Sequence, residues 1–408
     1  MDAKTHQQRL LREIANHSPY FDDGTKLRPA LRKAFMACPR HRFLDRFRLR
    51  QGGETLRLTK RNAEILLPEL YKDSLVVYVD ADGRPLPATN SEPGYVMHLL
   101  ERLDLRRGQS VMEIGSGMGW LVSVMAQAVG PRGRAVGVEI NADLASRSRK
   151  LIKGLGREID LGNLMIVTGD GAEGYAPGAP YDRVTVTAGS QSFPAMLFDQ
   201  VAVGGRVMIP LSLRGGGEEV FLMERQADCF SSLRTGQGWY VALTGRSELD
   251  GFHGVALETL ALWRKVHARP CFEQDFWLGG KAEMDLMMRS HRFRTYLAKT
   301  EPGYQVFVDR KEAKRGKGRW PGMTFGLVDE KAGSMVLYRG HKLYGYGTPD
   351  AAKRLLRAYR RWTAEFMPPG SCFGLTVYRS GEAPKPGRRE WLERRGDCDF
   401  VWSLPKPA

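Results

Sequence analysis

Ser110-Val111-Met112-Glu113-Ile114-Gly115-Ser116-Gly117-Met118-Gly119 is the stretch that decides the fold. Five residues of strand character run straight into alternating glycines, and an apolar run of helical length, Trp120 to Val129, follows. Strand, glycine-rich turn and helix N-terminus form a cradle. The glycines admit positive φ and let the backbone approach a ligand closely. Taken alone, a GxGxG turn is a weak signal, because nucleotide binders of many kinds carry one.

Three acids narrow the choice. Glu113 precedes the glycines, where a carboxylate can neutralise the amino group of a methionine moiety directly or through water. A second strand candidate, Ala135–Ile140, carries Glu139 at its end, placed to accept hydrogen bonds from both hydroxyls of a ribose. A third, Leu164–Thr168, leads into Gly169-Asp170-Gly171, where Asp170 can accept from an adenine amino group. One acid after each of three successive strands suits an adenosyl ligand that carries a cation, and would repel a pyrophosphate. The expected cofactor is therefore S-adenosyl-L-methionine, held by Glu113, Gly115, Ser116, Gly117, Gly119, Glu139, Asp170 and Gly171. Read singly, Asp170 is a turn residue and Glu139 a strand-end charge; their common register makes the site. No GxxxxGK[ST] motif is present.

Working outward, further strand candidates are Arg183–Thr187, Arg206–Leu211, Val220–Glu224 and Tyr240–Leu243, separated by helical stretches. Seven strands with the last two close together predict an open α/β sheet, Rossmann-like, ending in an antiparallel hairpin. Residues 1–90 read as a helical N-terminal segment: Leu27 to Phe35 has helical spacing, and Cys38-Pro39 stops it. Residues 91–245 form the cofactor-binding domain. Residues 246–408 read as an additional α+β domain with a basic loop at Lys311–Gly318 and a helix over Asp350–Phe366, capped by Asp350, with Leu355, Leu356, Tyr359 and Trp362 as its apolar stripe.

Composition sets outer limits. Hydrophobic residues at 42% and charged residues at 26% are ordinary for a globular chain of 408 residues. No run approaches the ~20 apolar residues of a membrane helix, and the polar N-terminus lacks a signal core, so no membrane partner is expected. The five cysteines are scattered without a CxxC pair, which argues for a reducing, cytoplasmic setting and against structural zinc. His41, His98, His253 and His291 share no metal-ligand spacing, so no metal is expected. The formal charge is +16, and residues 251–408 supply 29 Lys/Arg against 17 Asp/Glu. Such a half attracts polyanions, either an acidic peptide or nucleic acid, although a merely solvated basic surface reads the same way.

Several separated stretches resemble the protein-L-isoaspartate O-methyltransferase family. Cys38-Pro39-Arg40-His41-Arg42-Phe43 is similar to its PRHxF segment, and Ala88-Thr89-Asn90-Ser91-Glu92-Pro93 to its ATISxP motif. Gly169–Pro177 with Ala179–Asp182 matches its GDGxxGYAP…APYD run, and Gly204–Pro210 its GGRLxxP strand. The resemblance implies a seven-stranded Rossmann-like class I methyltransferase that esterifies an aspartyl or isoaspartyl carboxylate. It makes Ser91 the active-site serine beside the accepting carboxylate. Thr89, Asn90, Thr187, Ala188 and Gly189 then fall on the peptide-binding side. Helix capping is the plainer reading of Ser91. This sequence departs from the pattern at Asn90, where an apolar residue is usual, at Gly94, where His or Tyr is common, and at Thr187, in place of the first glycine of a GAA turn. All three departures are expected on the substrate side.

The C-terminal part, with Tyr344–Pro349, the helix through Trp362 and a Leu375–Tyr378 strand, resembles the extension on bacterial homologues that modify ribosomal peptide natural products. Those relatives methylate an aspartate that then closes to a succinimide. The expected partner is thus a peptide or protein, an acidic one included, with three alternatives kept: general isoaspartyl repair, nucleic-acid methylation, and a binding protein that retains the fold. Against nucleic acid, no NPPY-like or Pro-Cys signature follows the fourth strand.

Overall fold

The computed structural model describes residues 2–16, 24–156, 158–238, 240, 243, 249, 254–278, 283–310 and 322–406. The chain forms two compact units. One comprises residues 1–190, 194–210 and 220–248, the other residues 191–193, 211–219 and 249–408.

In the first unit, α1 (Ala3–Ile14) starts at Asp2, whose side chain accepts from the Thr5 N–H, and it buries Leu10 and Ile14. The helical spacing read from Leu27 becomes α2 (Pro29–Ala37), with proline at its first turn, where no intrahelical donor is lost. Pro39 then turns Arg40–Phe43 into a short 3₁₀ segment. A three-stranded antiparallel sheet follows that the reading of residues 1–90 as helix and loop lacks: β1 (Phe47–Arg48), β2 (Val76–Val79) and β3 (Pro85–Asn90), with α3 (Ala63–Leu70) between the first two. The physical reason is plain. Strand β1 has two residues, and all four of β2 are buried, so neither shows the alternation by which a strand is read.

After α4 (Pro93–Leu103) comes the large sheet. Strands β4 (Ser110–Ile114), β5 (Arg134–Glu139), β6 (Leu164–Thr168), β7 (Tyr181–Val186), β8 (Val201–Ser212), β9 (Glu218–Arg225) and β10 (Cys229–Gln237) lie in the order β10-β9-β8-β7-β4-β5-β6. The pairs β7·β4, β4·β5, β5·β6 and β7·β8 are parallel. This is a seven-stranded Rossmann-like sheet whose middle strand is β7, with β4 next to it in the interior. Val111, Met112 and Ile114 are fully buried there, and Ala135, Val136 and Val138 of β5 lie beside them. Helix α5 (Trp120–Val129) is apolar almost all round and buried accordingly. Helix α6 (Ala142–Leu155), capped by the Asn141 side chain on the Leu144 N–H, keeps a polar face. The seventh strand is Cys229–Gln237 rather than Tyr240–Leu243. A hairpin needs its partner within a few residues of β9; residues 241 and 242 lie outside those described.

The second unit holds a six-stranded sheet in the order Val255–Ala256, Tyr304–Val308, Met323–Asp329, Ser334–Arg339, Lys342–Gly347, Phe272–Asp275. Beside it is an antiparallel trio in which Cys398–Ser403 lies between Gly374–Arg379 and Glu390–Arg395. The helix expected over Asp350–Phe366 runs from Asp350 to Ala364. Its N-cap residue is Pro349, and Asp350 is the first helical residue, accepting from the Thr348 hydroxyl at 3.0 Å. Leu355 and Trp362 are buried with Ala351, Ala352 and Ala358, while Leu356 and Tyr359 flank that face half-buried. The alanines let the helix lie close on the strands, and Trp362 packs with Phe293 of the helix Glu283–Thr300. The basic loop Lys311–Gly318 and His253 lie outside the described residues. Among the described residues no helix is long and apolar enough to cross a membrane.

Candidate cofactor and substrate site

The C-terminal end of β4 opens onto a cavity of ≈ 170 Å³, lined by the glycine turn, Glu139, the β3–α4 loop and Thr187-Ala188. Gly115, Gly117 and Gly119 all have positive φ (85°, 52° and 84°), which is why glycine is placed at each. A Cβ on Gly117 would lie 2.9 Å from the Tyr78 ring, and one on Gly119 2.6 Å from Ser148 Oγ. The turn is thus pressed from both sides, and Gly119 serves as N-cap of α5.

Glu113 is buried, and its Oε1 lies 3.2 Å from the Thr187 hydroxyl. Burial pushes its carboxyl up to about 8; the Thr187 hydroxyl and the Val122 amide pull against that, and nearby Glu139 adds to it. Glu113 Oε2 and Ser116 Oγ are buried without a hydrogen-bond partner among the described residues. Orphaned buried polar atoms beside a cavity are what a polar ligand is needed to satisfy. Glu139 accepts from the Gly117 N–H at 2.7 Å and the Asn141 N–H at 2.9 Å, one on each oxygen. Burial nevertheless raises its pKa. Each oxygen keeps a lone pair for the hydroxyls of a bound ribose. An adenosyl ligand with a cationic amino-acid end therefore fits these residues.

Of the residues expected in the site, Thr89, Asn90, Ser91, Glu113, Gly115, Ser116, Gly117, Glu139, Thr187 and Ala188 line this one cavity. Gly119, Asp170, Gly171 and Gly189 do not. Asp170 is half-buried and its Oδ1 accepts from the Ala172 N–H at 2.8 Å, as a turn residue does. Gly171 is packed so that a Cβ would meet Ile114 at 2.3 Å, and the Gly189 carbonyl accepts from the Leu243 N–H.

The structure gives each departure from the family pattern a physical account. Thr187 was expected on the substrate side, yet its hydroxyl faces the Glu113 carboxylate and the Ile114 and Gly115 carbonyls. Gly94 makes room for Asp73: a Cβ there would lie 2.3 Å from Asp73 Oδ2, while Oδ1 accepts from the Gly94 N–H at the start of α4. Ser91 does not cap that helix, whose N-cap residue is Glu92. Asn90 is buried, and its side chain accepts from Arg40 Nε and donates to the Tyr78 hydroxyl at 3.1 Å.

Arg40 and Tyr78 are the residues missed by the sequence reading. Arg40 stood in a quoted motif, but nothing in that motif says its guanidinium is buried against the serine loop. Tyr78 sits in a short buried strand with no polar signal of its own.

Fold and cavity together define an S-adenosylmethionine-dependent methyltransferase of the class I type. Residues 57–248 match the protein-L-isoaspartate(D-aspartate) O-methyltransferase family. The chain is 36% identical to the protein-L-isoaspartate O-methyltransferase of Ignicoccus hospitalis over 38% of its own length and 72% of that protein. It is 37% identical to that of Methanothermobacter thermautotrophicus over 40% of its length and 75% of the relative. A solved structure of a protein-L-isoaspartate O-methyltransferase is similar in fold over 92% of this chain and 96% of that one, with a TM-score of 0.55 at 20% identity. The chain belongs to the protein-L-isoaspartate O-methyltransferase family.

Proposed function

We propose that this protein transfers the methyl group of S-adenosylmethionine to an isoaspartyl or aspartyl carboxylate of a peptide or protein. The observation that carries this reading is the meeting of Ser91 with Glu113, Glu139 and the glycine turn around one cavity. S-adenosylmethionine, when bound, supplies a methyl carbon on a sulfonium that leaves as a neutral thioether. A substrate carboxylate oxygen would form the new C–O bond in the same event in which the C–S bond breaks. An ionised carboxylate already lacks its proton at neutral pH, so no general base is required.

What remains for the chain is alignment and removal of water, which alone can supply several kcal/mol. Glu113 would hold the amino-acid end of the cofactor, Glu139 the ribose, and Asp170 the adenine edge. Ser91 orients one oxygen of the accepting carboxylate, and Thr89 and Ala188 shape the opening, with Gly189 behind them. The methyl ester expels methanol far more readily than a carboxylate loses an oxygen, so the next backbone nitrogen attacks the ester carbonyl and closes a succinimide, its proton leaving with the methoxy group as methanol.

Two substrate ranges fit this chemistry. General isoaspartyl repair follows the named relatives. A dedicated peptide substrate, such as a natural-product precursor, is the narrower reading. It is favoured by the excess of basic over acidic residues in 251–408, which suits an acidic peptide. Incubating the protein with labelled cofactor and, separately, an isoaspartyl peptide, an acidic aspartyl peptide and bulk RNA separates the readings. Base-labile label in either peptide supports carboxyl methylation, and which peptide gains it decides the range. Label only in RNA rejects the proposal.

A further inference from the structure

We propose that Arg40 and Asn90 are positioning residues that lock the Ser91 loop to the cofactor turn. The inference rests on the carboxyl-methylation reading for its catalytic consequence, though not for the clamp itself.

Arg40 is 1% exposed, and burial pulls its pKa down to about 10. Every hydrogen-bond acceptor it has among the described residues is uncharged. Nη1 donates to the Leu70 carbonyl at 3.1 Å, and Nη2 to the carbonyls of Ser74 (2.8 Å), Asn90 (2.8 Å) and Ser91 (3.1 Å), while Nε donates to Asn90 Oδ1. A buried guanidinium without a carboxylate in contact is costly unless its donors are all used. Here the five acceptors come from three places in the chain: the end of α3, the loop before β2, and the Asn90-Ser91 corner. The planar fork fixes their relative positions as a lysine could not.

Asn90 extends the clamp inward. Its amide nitrogen donates to the Tyr78 hydroxyl, and the Tyr78 ring lies where a Cβ on Gly117 would be. Arg40, Asn90, Tyr78 and Gly117 thus run as one packed chain from the serine loop to the cofactor turn, with Ser91 next to its first link. An apolar residue at position 90 could make neither side-chain hydrogen bond. The departure at Asn90 therefore couples the two halves of the site, which sets the distance between the accepting carboxylate and the methyl carbon.

The test uses Asn90→Leu, Arg40→Lys, Ser91→Ala and the double variant Ser91→Ala/Asn90→Leu in the full chain. With an isoaspartyl peptide as substrate, Asn90→Leu is expected to lower kcat about tenfold while the Kd for S-adenosylhomocysteine stays within about twofold, since a small misplacement costs rate rather than cofactor affinity. If Asn90 acts through Ser91, the double variant falls no more than about twofold below Ser91→Ala alone. Asn90→Leu with wild-type kcat, or effects that multiply in the double variant, would overturn the inference. Hydrogen exchange of residues 86–92 in the ligand-free protein is read alongside, and Asn90→Leu and Arg40→Lys are both expected to speed it. Unchanged exchange sinks the clamp whether or not any peptide is methylated. A wild type that esterifies no peptide rejects the proposed function, and exchange alone then decides the clamp.

Discussion

The Thr187 hydroxyl lies 3.2 Å from Glu113 Oε1, so a residue that departs from the family's glycine-first turn touches the buried acid of the candidate cofactor site. Glu113 is buried beside another acid, with the Val122 amide as its other favourable contact, and burial raises its pKa to about 8. A cation at that carboxylate must displace the proton. S-adenosylmethionine affinity is therefore expected to rise with pH, about tenfold per unit below 8, and to level off near it, where the ligand's own ammonium also begins to lose its proton. Calorimetry in buffers of different ionisation enthalpy should show proton release on binding at pH 7. Thr187→Val removes the hydroxyl that favours the charged form and moves the levelling point upward; an unmoved profile dissociates Thr187 from Glu113.

The same acid has a signature in stability without ligand. Its folded pKa is raised above the ordinary glutamate value, so its contribution is fully present below about pH 4.5 and is lost as pH rises through 8. Glu113→Gln, which stays neutral, should raise the Tm of the ligand-free protein at pH 8 to 9 relative to wild type and leave it nearly unchanged at pH 5. Cofactor affinity in this variant should fall by at least about tenfold. A Tm difference that does not depend on pH rules out Glu113 as the titrating group.

Asp170 lies outside the cavity lining, and its Oδ1 is engaged by the Ala172 N–H. Asp170→Asn should preserve the turn yet weaken cofactor binding about tenfold, with kcat at saturating cofactor little changed. Unchanged affinity by titration removes Asp170 from the site and leaves it a turn residue.

How much of this was legible beforehand follows from what each signal depends on. Strand β4, the glycine turn and helix Trp120–Val129 could be read to the residue, because a buried parallel strand, positive-φ glycines and an apolar helix are all local features. The carboxylates at 113 and 139 could be located by their register on successive strands. The direction in which Thr187 points could not, because it depends on where β7 lies beside β4. Arg40 was hidden for the same reason: its acceptors are 30 to 51 residues away in sequence, and a charged side chain among others reads as surface. The three-stranded sheet before α4 was missed because β2 is buried on both faces.

The second unit carries a buried ion pair of its own. Lys299, whose side chain is fully buried, donates to Glu219 Oε2 at 2.6 Å and to the Gly370 carbonyl at 2.8 Å, with the rings of Phe373 and Trp402 about its ammonium. Burial lowers the Lys299 pKa although Glu219 opposes the shift. Removing one member of such a pair strands the other charge, at a cost of about 3–5 kcal/mol. Lys299→Met should therefore destabilise this unit strongly in denaturant unfolding. Lys299→Met/Glu219→Gln should recover a large part of the loss, since no uncompensated charge is left behind. If the double variant is no more stable than Lys299→Met, the loss comes from packing around the aromatic rings rather than from the stranded carboxylate.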